Sequence, residues 1–401
     1  MAATPSSDTF QEWIPTLALL SVGSLYAAYY LKRVASKPII ACGNPKLQEF
    51  LQKHVPSIFQ VYWPPFWCFQ GHAHTILAVG FRIFISKTYR REVTETPDGG
   101  EIFLDWMDAD DTSTINKARR PTVIIMPGLT GSSKESYIMH YADDMHRLGF
   151  RSVVFNQRGY GGSKLRVRGF MCSISQTPRG FCAGNTEDIH FVVSHVKKLY
   201  PDAPVAVIGL SIGGIILLNY LAEYGDKAPL VGALPVSAAW DLMKSNRSLE
   251  ENLNWLLFNS YLTNNLRNYL KSHAHMIEDK YDVEHVLQSR TIYQFDDRVT
   301  AKMFGYRNAD HYYTEASPYG KIDKIKIPTL CLNAADDPFA PLKTLPLTSA
   351  SKSSHVAIAV PQYGGHLGFM QGTVPVGKTL ISKVLSEFMS GVFNHPDDFL
   401  Q

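Results

Sequence analysis

Charge of one sign is what this 401-residue chain has least of: 39 Lys and Arg stand against 36 Asp and Glu, a formal net charge of +3 at pH 7. So even a balance excludes the basic excess with which nucleic-acid binders neutralise phosphates. Together with 45% hydrophobic residues it also excludes a disordered chain, which needs low hydrophobicity and high net charge. Cysteine is scarce as well. The five present (Cys42, Cys68, Cys172, Cys182, Cys331) are odd in number and widely spaced, unlike the disulfide framework of a small secreted domain. No internal repeat, heptad or low-complexity tract occurs. No Gly-x-Gly-x-x-Gly follows the first strand and no phosphate-loop lysine is present, so no nucleotide cofactor is expected. His72/His74 and His273/His275 lie two apart, on different faces of a helix, and no carboxylate or cysteine cluster completes a metal site. The one glycosylation sequon, Asn246-Arg247-Ser248, would serve only in a lumenal domain.

Aromatic residues are abundant: 21 Phe, 20 Tyr and 6 Trp make 12% of the chain. They are unevenly placed. Dense groups fall between Ile58 and Phe69 and between Trp255 and Tyr319. A further apolar run, Trp13 to Leu31, carries no charge, and as a helix at about 1.5 Å per residue it would approach the thickness of a bilayer core. Lys32, Arg33 and Lys37 follow it. The preceding Asp8 and Glu12 argue against a cleaved signal peptide, so residues 13–31 are expected to be a single transmembrane signal anchor. The basic flank places the rest of the chain in the cytosol.

Three regions follow: a tail and anchor at 1–38, a segment at 39–95 that packs on the core, and a catalytic domain at 96–401. Arg91 to Trp106 reads as a hairpin turning on Pro97-Asp98-Gly99-Gly100. Short apolar runs at Thr122–Met126, Arg151–Phe155, Val205–Ile208, Leu230–Val236, Ile327–Leu332 and His355–Val360 read as buried strands. Helical patterns separate most of them. This alternation predicts an α/β fold with a mainly parallel, doubly wound sheet covered on both faces. It fails between about 240 and 326, where a ring-rich helical cap is expected.

Val205-Ala206-Val207-Ile208-Gly209-Leu210-Ser211-Ile212-Gly213-Gly214 joins an apolar strand to a helix through Gly-x-Ser-x-Gly. A serine delivered on such a sharp turn needs small residues two before and two after it, so that strand and helix can cross closely. Ser211 is the candidate nucleophile. A hydroxyl becomes reactive only when a base takes its proton and an acid orients that base. Asp337, after the strand ending at Leu332, is the candidate acid, with the adjacent Asp336 as its alternative. His366, among glycines after the next strand, is the candidate base. A tetrahedral oxyanion needs backbone donors from the residue after the nucleophile and from the loop after an earlier strand, which selects the amides of Ile212 and Leu129.

On these and further stretches the chain resembles the membrane-anchored α/β-hydrolase domain-containing proteins, closest to members three and one. The stretches include Pro64-Pro65-Phe66-Trp67-Cys68, Thr96-Pro97-Asp98-Gly99-Gly100, Pro127-Gly128-Leu129-Thr130-Gly131-Ser132, Asn156-Gln157-Arg158-Gly159, Asn185-Thr186-Glu187-Asp188, Gln294-Phe295-Asp296-Asp297-Arg298, Ala335-Asp336-Asp337-Pro338-Phe339 and Tyr363-Gly364-Gly365-His366. The resemblance implies an α/β-hydrolase fold with a signal anchor in an endomembrane such as the endoplasmic reticulum. It also implies a phospholipase cleaving phosphatidylcholines with a medium-length or oxidatively truncated acyl chain, and the family triad falls on Ser211, Asp337 and His366. Gln157, Gln70 and a long segment at Gly161–Thr177 depart from the family pattern. No histidine is followed five positions later by Asp, so the pair that marks related acyltransferases is missing. The expected partner is a bilayer phospholipid, with no nucleic acid, no metal and no obligate protein. A carboxylesterase of soluble or neutral-lipid esters is the enzymatic alternative, and a hydrolase-fold scaffold the non-enzymatic one.

Overall fold

The computed structural model describes residues 7–82, 85, 87–108, 116–165 and 178–400; Cys172 and the second part of the 161–177 segment lie outside the described residues. Nine strands form one sheet. They are β1 (Ile39–Ala41), β2 (Arg90–Glu95), β3 (Glu101–Met107), β4 (Thr122–Met126), β5 (Arg151–Asn156), β6 (Val205–Leu210), β7 (Gly232–Val236), β8 (Thr329–Leu332) and β9 (Val356–Val360). Their order across the sheet is β1-β9-β8-β7-β6-β4-β5-β3-β2. The six strands from β5 to β9 through β4 pair in parallel, and the hairpin β2–β3 and the edge strand β1 add antiparallel borders.

The central strands read as unbroken apolar runs because both faces of the sheet are covered. Successive side chains point to opposite faces. Thus Ile124 and Met126 of β4 join one core with Val205 and Val207 of β6. Val123 and Ile125 join the other, with Ala206, Ile208 and Leu210. Helices α2 (Pro45–His54), α4 (Ser136–Arg147) and the C-terminal helix Leu380–Asn394 pack on the second face, while α5 (Glu187–Leu199) and α6 (Ile212–Tyr224) pack on the first. Helix α3 (Gly71–Phe81) lies outside both layers, beside the loops that follow β8 and β9.

Strand β1 was invisible in the sequence pattern. Its three residues are too few to show a period, yet Ile39, Ile40 and Ala41 pair with Val360, Ala359 and Ile358, so the segment before the hairpin completes the sheet. Between β7 and β8 the alternation of strand and helix gives way to helices Leu242–Glu250, Ser260–Ser272 and Ala309–Ala316, linked by short helical turns.

The expected transmembrane helix requires correction. Helix α1 (Ser7–Tyr29) exists, but among the described residues no helix is long and apolar enough to cross a membrane. Asp8 and Glu12 belong to its first turns, Pro15 lies inside it, and regular α-helix stops at Tyr29, giving way to a π-turn over Tyr30–Val34. The apolar α-helical part from 13 to 29 rises only about 26 Å, against about 30 Å for a hydrocarbon core. Its last turn is tied to the protein: the Tyr26 and Tyr30 hydroxyls donate to the carbonyls of Phe66 and Pro64. Tyr29 and Tyr30 pack their rings near Phe69 and Trp63, at 6.3 Å and 6.2 Å between centroids.

Candidate active site

Four loops at the C-terminal ends of parallel strands converge. Ser211 stands directly after β6 with φ 55° and ψ −119°, the strained conformation of a sharp strand-to-helix turn. The glycines around it are required by contact. A Cβ on Gly209 would meet the Gly213 carbonyl oxygen at 2.5 Å, and one on Gly213 would meet the Met126 carbonyl oxygen at 2.6 Å. Strand, helix and the neighbouring strand cross too closely there for any side chain.

The structure brings the three side chains singled out in the sequence into one chain of hydrogen bonds. Ser211 Oγ lies 2.8 Å from His366 Nε2. On the other side of the ring, Nδ1 lies 3.0 Å and 3.1 Å from the two Asp337 oxygens. Asp337 is buried, and its Oδ1 also accepts the amides of Phe339 and Ala340 at 2.7 Å and 3.2 Å. Those bonds satisfy the carboxylate where water cannot reach it. Asp336, the alternative acid, turns away from the imidazole. Its Oδ1 accepts the Gly365 amide at 2.9 Å, while its Oδ2 is buried without a partner. Burial, opposed by that hydrogen bond and reinforced by the Asp337 charge, pushes the Asp336 carboxyl up to about 7.

Leu129 and Ile212 line the same cavity as Ser211. The loop carrying Leu129 is held by a hydrogen bond from the Gly128 amide to the Tyr137 hydroxyl and by another from the Gly131 amide to the Gly128 carbonyl. Thr130 adopts φ 60°, which turns the loop back sharply.

Several contacts around the imidazole carried no sequence signal. The His366 amide donates to Thr75 Oγ1 at 2.9 Å, and Arg82 donates to the Leu367 carbonyl at 2.7 Å. Both partners belong to α3 or its end, far away in sequence. Phe339 stacks on the His366 ring at 4.0 Å and 16° between planes. It sits two residues after Asp337, so its closeness could have been read, but not its stacking. Two neighbouring histidines of α3 are packing groups: His72 Nε2 lies 2.7 Å from Asn254 Oδ1, and burial pushes His74 down to about 4. Among the described residues one cluster has metal-ligand spacing, His54, His395 and Asp398. Lys53 pairs with the same Asp398 oxygen that faces His54, and none of these residues lines the cavity of Ser211.

That cavity has a volume of about 620 Å³ and runs between the sheet edge and the cap. Its walls are mainly apolar. Ile76 and Val79 of α3 line it together with Leu257, Phe258 and Leu266 of the cap.

A family model described as alpha/beta hydrolase fold matches residues 121–373, most of the sheet and the whole cap. The chain belongs to the α/β-hydrolase family. This α/β-hydrolase is 42% identical over 382 residues to the human protein "Phospholipase ABHD3", covering 94% of this chain and 90% of that one. It is 34% identical to "Protein abhd-3.2" of Caenorhabditis elegans, over 87% of this chain and 90% of the relative. A yeast "Monoacylglycerol lipase" is 29% identical, over 73% of this chain and 66% of the relative. Among solved structures, Est1E from Butyrivibrio proteoclasticus with ferulic acid bound superposes with a TM-score of 0.46 at 16% identity, covering 74% of this chain and 97% of that one.

Three motifs of the α/β-hydrolase chain outside the site meet at one ion cluster. Arg158 donates to Asp98 at 2.7 Å and 2.9 Å and to Asp188 at 2.6 Å and 2.8 Å. The hairpin turn at Asp98, the strand end at Arg158 and the start of α5 are thereby locked together. The cluster supports the scaffold and takes no part in the cavity.

Proposed function

We propose that this protein is a serine-dependent phospholipase that releases a fatty acid from glycerophospholipids, with phosphatidylcholine carrying medium-length or truncated acyl chains as its substrate. The observation that carries the reading is the Ser211–His366–Asp337 relay opening into a large apolar cavity roofed by the cap. A soluble short ester would not need so much apolar wall, whereas an acyl chain would fill it. The curated relatives that act on lipid esters support the same class.

His366 Nε2 takes the Ser211 proton as the hydroxyl attacks the ester carbonyl, and the Ile212 and Leu129 amides hold the tetrahedral oxygen. Asp337 keeps the Nδ1 proton in place and stabilises the imidazolium. Collapse expels the lysophospholipid, which takes its proton from His366. Water, deprotonated by the same imidazole, then attacks the acyl-serine and frees the fatty acid.

The reading includes contact with a bilayer. Leu17, Leu20 and Leu25 of α1, then Trp63, Phe66 and Trp67, then Val79 of α3 present exposed apolar side chains, and Val79 also lines the cavity. Such a belt supports docking on lipid headgroups, with the substrate entering from the membrane.

The experiment combines fluorophosphonate labelling with hydrolysis of phosphatidylcholine vesicles and of short soluble esters. Wild type is expected to label at Ser211 and to prefer vesicles, and Ser211→Ala to lose both labelling and turnover. Equal use of soluble esters would favour the carboxylesterase, and absence of labelling would favour a scaffold. Removal of residues 1–38 is expected to abolish the vesicle preference while leaving soluble-ester turnover.

A further inference from the structure

The relay occupies one wall of the cavity, and another wall carries a carboxylate that the proposed chemistry does not use. Asp296 begins the π-turn Asp296–Thr300 in the cap and lines the same cavity as Ser211. Its Oδ2 accepts the Tyr313 hydroxyl at 2.8 Å. Among the described residues no Lys, Arg or His forms an ion pair with it. Asp296 is only partly exposed and faces a mainly apolar cavity, where a carboxylate without a counter-ion is costly and a bound cation would offset that cost.

The surroundings narrow the kind of cation. Tyr312 and Tyr313 both line the cavity, with ring centroids 5.2 Å apart, and Phe295 precedes Asp296 on the same wall. A primary ammonium or a metal ion demands several oxygen ligands. A quaternary ammonium donates no hydrogen bonds and is held by ring faces and one negative charge. Burial, only partly offset by the Thr300 and Tyr313 hydrogen bonds, pushes the carboxyl up to about 6, which leaves it mainly ionised at neutral pH. A bound cation would favour that ionised form further.

We propose that Asp296, with the rings of Tyr312 and Tyr313, is a subsite for the quaternary ammonium group of a zwitterionic phospholipid headgroup. The proposal rests on the phospholipase reading and adds to it the residues that select the headgroup.

The test compares phosphatidylcholine with its 3,3-dimethylbutyl isostere, in which carbon replaces the charged nitrogen, both presented in uncharged detergent micelles. Wild type is expected to prefer the charged lipid in kcat/KM. Asp296→Asn is expected to lower that preference by about tenfold, chiefly through KM, with Asp296→Glu restoring part of it. Tyr312→Leu should erode the preference in the same direction and serves where Asp296→Asn does not fold. A preference that is unchanged, or an equal fall on both lipids as expected of a brace for the π-turn, would overturn the proposal. A second arm needs no turnover. Dodecylphosphocholine should slow fluorophosphonate labelling of Ser211 in wild type more than in Asp296→Asn, whereas dodecyl phosphate should not distinguish the two. If no phospholipid is hydrolysed, the phospholipase reading fails. The protection experiment still decides the subsite, and equal protection of both proteins would overturn it.

Discussion

The His366 amide donates a 2.9 Å hydrogen bond to the Thr75 hydroxyl across 291 residues of sequence. Thr75 Oγ1 in turn donates to the Gly71 carbonyl at 2.7 Å, so the hydroxyl is fixed from both sides. Thr75 lies outside residues 121–373, which match the family model, yet it holds the loop that carries His366. The segment before the matched residues therefore braces the loop that carries His366.

Thr75→Val removes the acceptor and leaves the partly buried His366 amide without a partner, at a cost of about 1–3 kcal/mol. If that cost falls on the productive loop position, kcat for a soluble ester should drop roughly 5- to 150-fold with little change in KM. Thr75→Ser should restore most of the rate. Steady-state kinetics on the three proteins checks this, and an unaltered kcat in Thr75→Val would remove Thr75 from its positioning role.

Arg158→Ala leaves Asp98 and the nearly buried Asp188 without their shared cation. Breaking a buried pair in this way costs about 3–5 kcal/mol. Urea unfolding should show the loss, while Ser211 labelling at low temperature should persist because the cluster does not line the cavity.

Asp336 gives a pH dependence with a definite sign. Burial pushes its carboxyl up to about 7 in the folded protein against 3.8 for a free aspartate, so between these values the folded state holds more protons than the unfolded one. Its contribution to stability is complete below 3.8 and is lost as pH rises through about 7. Asp336→Asn cannot ionise and still offers an oxygen to the Gly365 amide. Relative to wild type it should gain stability between pH 5 and pH 8, by roughly 1–3 kcal/mol after allowance for the partial exposure of the site. Thermal melts across that range provide the measurement; a difference that stays flat with pH would contradict the assignment.

Gly209→Ala would place a methyl group 2.5 Å from the Gly213 carbonyl oxygen, and neither backbone can yield without moving Ser211. Overpacking of this kind costs about 1–3 kcal/mol. A lower melting temperature is expected together with slower fluorophosphonate labelling, the second effect reporting displacement of Ser211.

Much of this architecture could be read without coordinates, for reasons of locality. The turn around Ser211 is specified within five residues, Gly209 to Gly213, because the close crossing it needs is made by neighbours in the chain. Strands β4 and β6 are legible because burial on both faces leaves no polar alternation. The order serine, acid, histidine follows from strands that succeed one another. The choice between Asp336 and Asp337 could not be read. The two carboxylates differ only in the direction in which each leaves its loop, and that direction is set by Gly365, Phe339 and Ala340.

Local sequence pattern determined an α/β scaffold, the sharp turn that carries Ser211 and a greasy N-terminal run, since each is a property of short stretches of chain. Only tertiary structure decided that the regular helix of that run ends at Tyr29, that Ile39–Ala41 completes the sheet, that Thr75 holds the loop of His366 and that Asp296 faces the cavity of Ser211. Those facts depend on contacts between residues tens to hundreds of positions apart, and no local period or spacing encodes which distant partner a side chain will meet.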